Sequence, residues 1–130
     1  GGDILRYSKG EEPDRVRTIK HASFRLEGME FAAMDSARIH DFAFNEAISF
    51  VVHCETQDEI DYYWERLSAD PQAEQCGWLK DRYGVSWQIV PTILEQMLRD
   101  QDEEKVARVT RAFLEMKKFD IEALVRAYKG

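Results

Sequence analysis

The side chains that could do chemistry in this chain are few and scattered. There are three histidines (His21, His40, His53), two cysteines (Cys54, Cys76), and no dense cluster of acids or bases. A thiol nucleophile needs a base beside it, and the one adjacent candidate, His53, points to the opposite strand face from Cys54. No GxGxxG turn follows a strand, so a glycine-rich cradle for a methyl donor or dinucleotide is missing from the sequence. No catalytic residue is assigned. What remains is a set of strand positions where polar residues alternate with apolar ones. In residues 16–26, Ala22, Phe24 and Leu26 fall on one face, with His21, Ser23 and Arg25 on the other. Ser49 and Val51 alternate against Phe50 and Val52, and Ser86, Gln88 and Val90 against Trp87 and Ile89. His21, Ser23, Ser49, Trp78 and Gln88 are therefore the candidates for lining a ligand pocket. The competing reading of His21 is a solvated strand face, and of Trp78 a core or dimer-interface aromatic.

The elements that must position these residues are legible from period and punctuation. Residues 3–8 form a short strand candidate, 16–26 and 29–34 form a hairpin about Glu27-Gly28, and 35–46 have no clean period. Residues 47–91 read as strand (47–54), helix (56–67), strand (76–79) and strand (85–91), with Lys80 to Gly84 as the intervening turn. Thr56 and Glu59 resemble a capping box, and Ile60, Tyr63, Trp64 and Leu67 recur at helical spacing. Beyond Pro91 the pattern turns helical: a short segment at 93–98, a helix over 103–117 behind Asp102, and a last helix over 121–128 behind Asp120. Acids open the second of these, and Lys117 and Lys118 close it, as the helix dipole favours. Val109, Phe113, Met116, Leu124 and Tyr128 make these helices packing elements.

The segment AISFVVHCETQDEIDYYWERLS followed by CGWLKDRYGVSWQIVP resembles the PhnB-like branch of the glyoxalase and vicinal oxygen chelate superfamily, whose members often carry the label 3-demethylubiquinone-9 3-methyltransferase. The closing MKKFDIEALVRAY is similar to the end of the same branch. The resemblance implies an α+β fold of βαβββ modules whose sheets curl into a cup, followed here by a helical extension. One domain spans 1–130, with 1–35 a partial first module, 47–91 the second module and 92–130 the C-terminal helices. By the same pattern a strand and a helix, on the order of 25 residues, would precede Asp3. In metal-dependent relatives, His, Glu or Gln ligands face into the cup. The matching positions here are Gln88, Ala32 four residues after Gly28, and Ala47 or Ile48. One neutral amide is a poor site for zinc, iron or manganese, so no metal and no cofactor are expected.

Composition narrows the classes further. At 130 residues and 44% hydrophobic content the chain can bury a core. A net charge of −7 disfavours nucleic acid and anionic membranes. Two cysteines without CxxC spacing suit neither a disulfide scaffold nor structural zinc, and no secretory pattern opens the chain, which points to the cytoplasm. Three functions follow in order: a metal-free small-molecule binder, a metal-dependent lyase, dioxygenase or transferase of the glyoxalase kind, and a dimeric structural module without ligand. An unpaired sheet edge in a partial first module makes a homodimer the expected assembly.

Overall fold

In the computed structural model, residues 2–130 are described. They fall into two compact units, one ending at Phe42 and one running Ala43–Gly130.

The first unit is an antiparallel sheet in the order β1 (Ile4–Arg6), β2 (Ile19–Leu26), β3 (Met29–Ala33). The β2–β3 hairpin turns at Glu27 and Gly28, both at positive φ (49° and 79°), which is the backbone sense that matches strand twist in a two-residue loop. Asp35 ties the far end of the sheet, its Oδ2 accepting the Ile19 amide at 2.7 Å and its carbonyl accepting the Tyr7 hydroxyl at 3.1 Å. None of the described residues of this unit is buried.

The second unit holds β4 (Ser49–Cys54), α1 (Gln57–Leu67), β5 (Trp78–Lys80), β6 (Ser86–Pro91), α2 (Thr92–Leu98), α3 (Glu103–Leu114) and α4 (Ile121–Lys129). Its sheet runs β4-β6-β5, with β4 and β6 parallel and β5 antiparallel to β6. Parallel neighbours need a crossover, and α1 begins it. Thr56 caps that helix as the sequence suggests: its Oγ1 accepts the Glu59 amide at 3.2 Å, while Glu59 reaches back to the amide of Glu55. Ile60 and Trp64 carry the stripe into a core with Cys54, Leu79 and Ile89. The Trp64 indole donates to Glu74 Oε2 at 3.0 Å, and Ser68 Oγ donates to the same oxygen at 2.6 Å, so the ring is buried without an orphaned N–H.

Three expected boundaries are corrected, the first two for one reason. The strand expected from Cys76 begins only at Trp78, because Cys76 and Gly77 sit at φ 49° and 84°, outside the extended region. Their amides donate to the Met116 and Lys117 carbonyls, both at 2.8 Å, and that draws the chain out of the helix expected to run to 117; α3 stops at Leu114. Gly77 also lies flat against Phe119, where a Cβ would meet the ring at 2.4 Å. Lys118 consequently pairs with Asp61 on α1 at 2.7 Å instead of closing α3. Lys80, read as the start of a turn, is the last residue of β5.

Asp102 and Asp120 cap α3 and α4 through their Oδ1 atoms, as their positions in the sequence suggest. The Arg108 guanidinium donates to the carbonyls of Ala127 (2.9 Å) and Tyr128 (3.0 Å), satisfying the C-terminal end of α4 from the middle of α3. Val109 and Leu124 are fully buried between these helices, whereas Phe113 is only half-buried, edge-on to the buried Phe119 at 6.1 Å. Leu124→Ala should cost about 2–5 kcal/mol of unfolding free energy. Leu114→Ala, at a residue 56% exposed, should leave the thermal midpoint nearly unchanged; equal losses in the two variants would show that the packing is wrong.

Candidate functional site

Strand β6 organises a face of the second unit that combines polar groups with aromatic and aliphatic walls. With neighbours on both sides, its side chains alternate strictly between two surfaces. Ile89 and Pro91 are buried toward the core, Val90 packs against that core at the end of the strand, and Ser86 and Gln88 project from the other face. Register then decides who meets whom. Gln88 is opposite Val51 on β4 and Trp78 on β5, and Ser86 is opposite Ser49 on β4 and Lys80 on β5. Gln88 Nε2 donates to Ser49 Oγ, its diagonal neighbour, at 2.9 Å. Three of the five sequence candidates, Ser49, Trp78 and Gln88, thus share one patch of sheet. The other two, His21 and Ser23, belong to the first unit: His21 is exposed opposite Leu5, and Ser23 Oγ accepts the Asp3 amide at 3.1 Å.

Beside this patch lies a cavity of about 420 Å³ against β5. Trp78, Leu79 and Ala73 contribute its apolar lining, and Ser86, Cys76, Lys80 and Glu46 its polar groups. Ser86 is 2% exposed. Lys80 Nζ and Glu46 Oε2 are 2.8 Å apart, and this hydrogen bond raises the ammonium pKa above, and lowers the carboxyl pKa below, its ordinary value. Sequence reasoning missed Lys80, Glu46 and Cys76 as members of one site. Glu46 and Lys80 are 34 positions apart, and only the β4–β6–β5 register brings them together.

The remaining sequence candidates for chemistry are dispersed. His53 Nε2 lies 2.8 Å from Glu95 Oε1 on an exposed face, and His40 pairs with Ser36 at 3.1 Å. Among the described residues no three His, Cys, Asp or Glu side chains are grouped so as to hold a metal ion. The cysteines differ sharply in setting. Cys54 is fully buried, and burial, aided by the nearby Glu59 carboxylate, pushes its thiol up to about 11. Cys76 is half-buried at the cavity, with Sγ donating to the Leu114 carbonyl at 3.5 Å.

Residues 2–90 match the family model described as 3-demethylubiquinone-9 3-methyltransferase, and the chain belongs to that family. Among solved structures it is similar to the PhnB protein from Bacillus cereus, which bears the same methyltransferase name provisionally. The two share 38% identity and a TM-score of 0.56 over 69% of this chain and 77% of that one. No curated protein matches the chain. The PhnB-like resemblance carried by residues 47–91, and the mixed α+β, glyoxalase-like fold it implies, are those of this family.

The contrast between the thiols is directly measurable. At mildly alkaline pH, iodoacetamide should label native protein once, at Cys76, and a second time at Cys54 only after denaturation, as read by intact mass and peptide mapping. Native labelling of Cys54 at the rate of Cys76 would contradict its burial.

Proposed function

We propose that this chain binds a small molecule on the polar face of β4, β6 and β5 and does so without a metal ion. The observation that carries the reading is Gln88: at the strand position where metal-dependent relatives are expected to present a ligand, this chain has a neutral amide, hydrogen-bonded to Ser49 and flanked by Trp78. An amide with an aromatic neighbour suits a ligand with an apolar body and few polar groups better than it suits a divalent cation. His21 and Ser23 are proposed separately, as pocket candidates on β2 of the first unit. The methyl transfer in the family's name is not part of the proposal, since the sequence carries no glycine-rich methyl-donor turn.

The chain is proposed to work in the cytoplasm as a homodimer, with neither nucleic acid nor membrane as partner. Two observations support parts of this. In the first unit, β1 and β3 are edge strands, and Ile4, Leu5 and Met29 beside them are 55–65% exposed, a surface that a second copy could cover. Among the described residues, no helix is long and apolar enough to cross a membrane.

Elemental analysis of dialysed protein together with a thermal-shift screen tests the proposal. Metal should be well below one equivalent, and some apolar or carboxylate compounds should raise the wild-type melting temperature but not that of Gln88→Ala or Trp78→Ala. A ligand at about a hundred times its Kd would add about 2.7 kcal/mol. Near-stoichiometric zinc, nickel, iron or manganese that is lost in Gln88→Ala would overturn the metal-free reading in favour of a glyoxalase-type metalloenzyme. A null screen on a stable dimer would favour a structural module.

A further inference from the structure

Three features of the cavity beside β5 have no role in the fold. Ser86 lines the cavity, and among the described residues no buried side-chain oxygen lacks a partner, so its hydroxyl, which takes part in none of their side-chain hydrogen bonds, opens onto that cavity. A hydroxyl that faces a cavity can donate to an acceptor supplied from outside. Lys80 is opposite Ser86 in the ladder, so the two side chains leave the sheet on the same face about 5 Å apart at Cβ. Its ammonium offers three donors, and Glu46 takes one. The Glu46 side chain is 69% exposed, and besides Lys80 its carboxylate meets only its own backbone amide, so it is a solvent-facing partner at the mouth of the cavity that a ligand carboxylate could replace.

We infer that this cavity selects an apolar monocarboxylate, with one carboxylate oxygen on Lys80 Nζ in place of Glu46, the other accepting the Ser86 hydroxyl, and the apolar body on Trp78 and Ala73. The inference deepens the small-molecule reading above and rests on it. Glu46 already occupies the lysine with the same chemical group, so the ligand's head repeats a contact the protein makes with itself. The volume of about 420 Å³ accommodates an aromatic ring and a short chain. A monoanion is matched to the single ammonium. A phosphate ester would bring a second negative charge toward Glu46 with no second cation lining the cavity.

Calorimetric titration of the full chain at low salt with 3-phenylpropionate, 3-phenylpropanol and phenylphosphonate tests the inference. The acid should bind about ten-fold tighter than the alcohol, as a charge-assisted pair in a half-enclosed site allows. Glu46→Gln should tighten the acid several-fold and leave the alcohol unchanged. Lys80→Met should erase the preference, and Ser86→Ala should weaken the acid while circular dichroism and melting show both variants folded. Equal affinities for acid and alcohol, with Lys80→Met without effect, would overturn the carboxylate assignment and leave the wider binding proposal standing. Tighter binding of phenylphosphonate than of the acid would overturn it in favour of a dianion. If none of the three binds, this cavity is not the site, and the thermal-shift screen decides the wider proposal independently.

Discussion

Everything distinctive about the second unit depends on the parallel pairing of β4 with β6. The pairing runs from Ser49 opposite Ser86 to Cys54 opposite Pro91, while β5 takes the other edge of β6. A strand with ladders on both sides has its backbone donors and acceptors engaged, so it can act only through side chains. Because side chains alternate with period two, register decides which side chains reach each face of the sheet. A slip of one residue would turn Gln88 toward the apolar core and bring Ile89 to the face it leaves.

That register is held by devices at some distance from the polar face. The crossover through α1 is started by the Thr56–Glu59 cap and fixed by Ile60 and Trp64, with Glu74 satisfying the Trp64 indole. At the far side, the left-handed turn at Cys76-Gly77 hands two amides to the segment between α3 and α4 and one carbonyl to Ile89. A non-glycine residue at φ 49° is strained. The strain persists because those bonds and the Phe119 ring against Gly77 over-determine the backbone. The C-terminal helices thus set where β5 begins, and through β5 they place Trp78 and Lys80.

Much of this was legible in the sequence where the signal is local. Thr56, Asp102 and Asp120 cap the helices that follow them, and the alternation about Gln88 and Ser49 sorts faces correctly. What was not legible rests on tertiary contacts. Nothing near Cys76 announces positive φ, since the partners are the carbonyls of Met116 and Lys117, some forty residues later in the chain. The same contacts end α3 early, although residues 103–117 keep helical spacing throughout. Phe119 belongs to no helical stripe and yet is among the most buried aromatics. The cavity beside β5 was partly visible, through Trp78, but Glu46 and Lys80 meet only because two strands far apart in sequence flank β6.

We propose that the polar face of β6, and not a metal centre, is where this protein meets its ligand. A crystal structure of the chain soaked in an aromatic monocarboxylate, with anomalous data collected at metal edges, tests that claim most directly. The account requires difference density against Trp78 with its carboxylate within hydrogen-bonding distance of Ser86 or Lys80, and no anomalous peak at Gln88. An anomalous peak coordinated by Gln88 would contradict it, as would ligand density confined to another part of the molecule.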